Sequence, residues 1–117
     1  MDPLAARECV PCTGGIPSLP PAEVRRLLSQ IPDWEARNDL RLFNSYVFPD
    51  FVSALDFTNR IGHLAEDQSH HPDIHLAWGR VGVEIWTHRI DGLTESDFIL
   101  AAKIDEIALE QERAAEA

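Results

Sequence analysis

The stretch from Phe51 to Gln68 constrains this chain more than any other. Phe51, Ala54, Leu55, Phe57, Ile61, Leu64 and Ala65 recur at helical spacing and form one apolar stripe of about five turns. Pro49-Asp50 breaks the chain before it and opens the helix. Ser69-His70-His71-Pro72 closes it, because proline disfavours helix at the residue that precedes it. Two histidines are therefore held at a helix exit. A helix with one apolar face buries that face against a second layer, and the flanking segments read as that layer.

Residues 34–48 favour a hairpin, with Asn38-Asp39 as the turn and Leu40, Leu42, Phe43, Tyr46, Val47 and Phe48 as strand formers. Residues 73–79 and 81–88 predict a second hairpin around Gly79-Arg80. There Val81, Val83 and Ile85 face one way, while Gly82, Glu84, Trp86 and His88 face the other. Pro21 suits a first helical turn, and Val24, Leu27, Leu28 and Ile31 continue a helix over about 21–30 until Pro32-Asp33 ends it. After the Asp91-Gly92 turn, Thr94 and Asp97 resemble a capping box with Asp in place of Glu or Gln. Leu100, Ala101, Ile104, Ile107 and Ala108 then mark the inward face of a last helix. The order α-β-β-α-β-β-α predicts an α+β fold, a four-stranded antiparallel sheet with three helices on one face. The other face is then bare. Phe43, Val47 and Val83 would need cover, which a symmetric assembly would supply. Residues 1–17, rich in Pro and Gly, read as an irregular or mobile arm, and residues 18–117 as a single domain.

Ten Lys and Arg against twenty Asp and Glu give a net charge of −10. So acidic a chain is a poor direct ligand for nucleic acid or for an anionic membrane surface. No apolar run reaches the ~20 residues of a membrane span, and the N-terminus lacks the apolar stretch of a secretory leader. A cytoplasmic location is the expectation. Cys9 and Cys12 form a C-x-x-C pair, which can be a redox couple, half a zinc site or two idle thiols. Four cysteines around zinc are excluded within one chain, and reduced thiols are the plainest reading.

All five histidines, His63, His70, His71, His75 and His88, fall within residues 63–88. Histidine titrates near neutral pH, so the cluster invites an acid/base reading. Glu66 and His70 are four apart and would touch on one helix face, the carboxylate orienting the ring. If the second hairpin packs beside the helix exit, His70, His71 and His88 converge. Three other readings stand beside this one. His63 reads as a surface residue and His75 as a sheet-face residue. His70 and His71 also suit a helix C-terminus, where a cation favours the dipole. Three histidines could bind zinc, although no H-E-x-x-H pair is present.

The ordered set Glu66-Asp67-Gln68-Ser69-His70-His71-Pro72, Trp78, Val81, Thr87-His88, Gly92-Leu93-Thr94 and Asp97 resembles the pterin-4a-carbinolamine dehydratase family. Trp34 and Phe48-Pro49-Asp50-Phe51 resemble its upstream region, and the likeness runs from about residue 18 to 109. The resemblance implies dehydration of a 4a-hydroxytetrahydropterin to quinonoid dihydropterin and water, the step that recycles the pterin of aromatic amino-acid hydroxylases. It implies His70, His71 and His88 as catalytic residues and Glu66, Trp78 and Asp97 as substrate-binding residues. No metal and no organic cofactor are implied. A homodimer or homotetramer and a hydroxylase pathway partner are implied. Within this reading His70, aided by Glu66, is the general acid, His88 acts from the other side of the ring, and His71 orients the pterin. Trp78 stands where the family more often has Tyr, and Ile74-His75 replace aromatic residues. The alternative from the same resemblance is a non-catalytic dimerisation module, bound to a protein partner through the bare sheet face.

Overall fold

The computed structural model describes residues 3–10 and 17–116. Helix α1 spans Pro21–Leu28, β1 Glu35–Arg37, β2 Arg41–Val47, α2 Phe51–Gln68, β3 Asp73–Ala77, β4 Arg80–Ile85 and α3 Glu95–Glu116. The strands form one antiparallel sheet in the order β1-β2-β4-β3, so the two hairpins meet at β2 and β4. The α+β class and the element order expected from the sequence are those of the structure.

Register decides which side chains reach the helices. Leu42 lies opposite Ile85 and Tyr46 opposite Val81, with Val83 between them on the same face. These residues meet Ala54, Phe57 and Ile61 of α2, Val24 and Leu27 of α1, and Phe98, Leu100, Ala101 and Ile104 of α3 in one buried cluster. The opposite face carries Phe43 beside Gly82, and His75 and Val47 lie on that open side. Val47 is 82% exposed, whereas Val83 is fully buried and needs no further cover. On α2 the buried stripe is narrower than the apolar pattern suggests. Phe51 and Leu55 stay exposed, and Gln68 joins the buried side instead.

Residues 3–10, the described part of the arm read as irregular or mobile, dock against the domain. A short 3-10 turn at Leu4–Ala6 packs against α3, and Leu4 is buried in the core. Lys103 Nζ donates to the Ala5 carbonyl at 2.9 Å. Cys12 lies outside the described residues. The Cys9 thiol points at the Ser96 carbonyl, 3.5 Å away, and burial pushes it up to about 11. It is therefore held as a thiol rather than a thiolate nucleophile.

Candidate active site

Helix α2 ends by a left-handed residue. Ser69 has φ 53°, its N–H donates to the Glu66 carbonyl, and the His70 N–H reaches back to the Ala65 carbonyl at 3.2 Å. This pair of bonds is a Schellman closure with serine where glycine is usual. The chain reverses there, and Pro72 prevents any return to helix.

That reversal redistributes the carboxylates. His70 Nε2 lies 2.5 Å from Asp97 Oδ1, and His71 Nε2 lies 2.5 Å from Glu66 Oε2. The expected Glu66–His70 pair is replaced, because a four-residue helical spacing ceases to exist once Ser69 turns left-handed. Glu66 and His71 are both exposed. His70 is 12% exposed in its side chain, and Asp97 is fully buried.

A buried carboxylate needs a full set of donors. Asp97 Oδ2 accepts the Thr87 hydroxyl at 2.7 Å and the Thr94 N–H at 2.8 Å. The second bond is half of the expected capping box, at the first turn of α3. The Thr94 hydroxyl, which would complete the box, instead lies 3.0 Å from the Thr87 hydroxyl. With Oδ2 receiving two donors and Oδ1 facing Nε2, we assign the Nε2–H as donor to Asp97. The Nδ1 of His70 is then the nitrogen left to exchange a proton.

His88 does not end a strand. β4 stops at Ile85, and His88–Ile90 is a 3-10 turn closed by the Thr87–Gly92 bridge. Its ring packs against Trp86 at a tilt of 52°, centroids 4.5 Å apart, and the Arg41 guanidinium lies 4.4 Å over the Trp86 ring. His70, His71 and His88 line one open cleft of about 150 Å³ with Ser69, Trp86, Thr87 and Arg89. Three imidazoles and an aromatic wall suit proton transfer on a flat heterocycle.

Trp78 is not brought to this cleft. It sits in the β3–β4 turn, 68% exposed, at the far end of β3 from His71. His63 is exposed on α2 and His75 on the open sheet face. The sequence offers Thr87 only within the family pattern and does not name Trp86 as a site residue. The alternation along β4 already placed Trp86 on the side of His88, and that was the available signal. Two larger hollows, of about 320 Å³ beside Tyr46 and Gln111 and about 370 Å³ beside Phe43 and His75, lie elsewhere. Neither brings several histidines together, as the smaller cleft does. Among the described residues no three His, Cys, Asp or Glu side chains are grouped to hold a metal ion. No helix there is long and apolar enough to cross a membrane.

Comparison with known proteins gives one consistent result. The profile of the family Pterin 4 alpha carbinolamine dehydratase matches residues 17–107. A provisionally named pterin-4-alpha-carbinolamine dehydratase of Rubrobacter xylanophilus is 53% identical over 107 residues, 92% of this chain and 100% of that protein. One of the same provisional name from Rickettsia bellii is 52% identical over 103 residues, 87% of this chain and 91% of its own. The crystal structure of a transcriptional coactivator/pterin dehydratase from Brucella melitensis superposes with TM-score 0.73 at 32% identity, covering 78% of this chain and 98% of that one. A pterin dehydratase-like protein identified as a RuBisCO assembly factor in the alpha-carboxysome shares the fold, with TM-score 0.54 at 20% identity over 64% of this chain and 86% of its own.

Proposed function

The chain belongs to the pterin 4 alpha carbinolamine dehydratase family, and from that premise we propose that it converts a 4a-hydroxytetrahydropterin to quinonoid dihydropterin and water. The observation that carries this reading is the cleft that gathers His70, His71 and His88, with His70 held by buried Asp97.

The chemistry asks for two proton movements. Hydroxide is a poor leaving group, so the oxygen on C4a takes a proton as its bond to carbon breaks. A ring nitrogen lone pair forms the new double bond, and a ring N–H proton is lost. His70 is the general acid in this reading. Asp97 fixes its ring from behind, and its Nδ1 delivers the proton. His88, packed against Trp86, serves the other side of the ring as the base. His71, held by exposed Glu66, binds and orients the pterin. Trp86 supplies a face for the heterocycle, which takes over the role assigned from sequence to Trp78. Glu66 and Asp97 then act through the histidines they hold. One protonated and one neutral histidine suffice, so the reading needs no metal and no organic cofactor.

A cytoplasmic homodimer or homotetramer in the pathway of an aromatic amino-acid hydroxylase completes the reading. The open sheet face with Phe43 and Val47 supports an assembly. Direct assay of 4a-carbinolamine dehydration tests the function. Turnover above the spontaneous rate, lost in His70→Ala, is the expected result. A native protein that does not accelerate the reaction would leave the binding-module reading as the better one. Sedimentation tests the assembly, and a monomer at about 10–100 μM would sink it.

A further inference from the structure

Residues 8–10 run between the two helix ends that carry His70 and Asp97. Gln68, in the last turn of α2, accepts the Cys9 N–H on Oε1 at 2.9 Å and donates from Nε2 to Glu8 at 2.6 Å. Ser96, in the first turn of α3, accepts the Val10 N–H on Oγ at 2.9 Å and donates to the Val10 carbonyl at 3.2 Å. Both side chains are buried. Gln68 stands two residues before His70, and Ser96 stands next to Asp97. Among the described residues, the backbone of Cys9-Val10 thus links these two buried side chains. Further along the arm, Arg7 pairs with Glu95 and Leu4 anchors in the core. If the arm withdrew, the buried Gln68 would keep only its bond to Asp67, 3.1 Å away, and Ser96 Oγ would lose both of its bonds to Val10.

We propose that Gln68 and Ser96 are positioning residues, which through the strap of residues 8–10 lock the end of α2 to the start of α3 and so hold His70 against Asp97. The proposal rests on the dehydratase reading for its consequence in turnover, but its geometry does not depend on it. An imidazole–carboxylate bond tolerates little slack, and displacement of a catalytic group by about 1 Å can cost on the order of a hundredfold in rate. The strap is a tie between the two helix ends that lies outside the cleft, so it can be cut without touching a cleft residue.

The test uses the full chain with Gln68→Ala, Ser96→Ala, the double variant, and Ser96→Thr, which keeps the hydroxyl. Three readings are taken. Trypsin cleavage after Arg7, followed by mass, reports release of the strap. The low-field imidazole N–H proton of His70 reports its bond to Asp97. Steady-state kinetics with the carbinolamine separate kcat from KM. The double variant should be cleaved faster at Arg7, lose the low-field resonance to exchange, and lose roughly ten- to a hundredfold in kcat with KM within about twofold. Ser96→Thr should behave as the native chain. A strap that is released while the resonance and kcat hold within about twofold would overturn the proposal. So would a strap that stays protected in the double variant. Should the double variant not fold, the two single variants carry the same readings with smaller changes. A native protein without dehydratase activity defeats the functional reading alone, since cleavage and the His70 resonance still decide whether the strap positions the pair.

Discussion

Two carboxylates stand on α3 eight residues apart, about 12 Å along the helix. Asp97 accepts from Thr87, Thr94 and His70. Asp105 accepts the Tyr46 hydroxyl at 2.6 Å and the Trp34 indole N–H at 3.1 Å. Each ties α3 to elements distant in sequence, and each has its donors in place. Their donors differ in what they can release. Burial pushes the Tyr46 hydroxyl far above its ordinary value, and Asp105 beside it adds to the shift. An indole does not give up its proton at all in this range. Tyr46 also packs edge-on against Phe57, centroids 4.8 Å apart. The Asp105 end is therefore a lock among β2, the segment before β1 and α3. At the Asp97 end one donor is an imidazole that also lines an open cleft. The two carboxylates, Asp97 buried and Asp105 half-buried, thus differ in whether a partner can pass a proton outward.

The sharpest way to break this comparison is to exchange the pair members. His70→Ala should lower kcat by roughly 10²–10⁴-fold, the usual worth of a general acid. Asp97→Asn should fall within the same range, because the ring loses both its orientation and its charge partner. The double variant should be little worse than either single one, since the two act as a unit. Additive losses in a rate assay would mean that Asp97 acts on the pterin directly rather than through His70.

A smaller effect is expected one bond further back. Thr87→Val keeps the shape but removes the hydroxyl that donates to Asp97 Oδ2. Asp97 Oδ2 keeps the Thr94 N–H, so what is lost is one hydrogen bond to a charged group, worth about 1.5–3 kcal/mol, and part of that should appear in kcat, about tenfold, with KM little changed. Thr87→Ser should recover most of it. If valine and serine behave alike, the hydroxyl is not part of the support.

At the other end of α3, Asp105→Asn should leave kcat within about twofold and act on stability alone. Burial raises the Asp105 carboxyl above its ordinary 3.8, outweighing the hydrogen bonds from Tyr46 and Trp34 that lower it. The folded chain then holds that proton more tightly than the unfolded chain does. Stability from this group is fully present below the unfolded value and is lost as pH rises through the folded one. The asparagine variant does not ionise, so it should gain on the native chain as pH rises from about 4 towards neutrality. Urea midpoints across that range check the sign. A variant that instead loses ground to the native chain as pH rises would reverse it and make Asp105 a favourable anion.

How much of this was legible follows from range. The order of elements, the bounds of α2 and the exit of His70 and His71 are written in local apolar spacing and in Pro49 and Pro72. Trp86 was legible too, through its alternation with Ile85 on the last strand. The carboxylate partners were not. Spacing gave Glu66 to His70, and only the left-handed Ser69, an unusual choice for that conformation, hands Glu66 to His71. Asp97 reaches His70 across 27 positions of chain, which no local pattern encodes. Trp78 fits the family's order in sequence, yet β3 carries the chain away from the helix exit at about 3.3 Å per residue. The Pro- and Gly-rich composition of the arm gave no sign of docking, because its partners Gln68 and Ser96 lie 59 and 86 positions away.

The smallest expected effect tests whether the delivery of His70 depends on that turn alone. Ser69 sits at φ 53°, where a side chain is strained and glycine is not. Ser69→Gly relieves the strain but also frees the unfolded chain, so the net gain should be only about 0.5 kcal/mol. That corresponds to roughly 2–4 °C in Tm for a domain of this size. The same hydrogen bonds to the Glu66 and Ala65 carbonyls remain available to a glycine, and His70 should still arrive at Asp97. Turnover should therefore follow the native chain within about twofold. A stabilised variant with a clear loss of kcat would show that the serine hydroxyl, which lines the cleft, touches the substrate. A destabilised one would mean that the left-handed turn is held by the neighbouring strap and not by its own conformational preference.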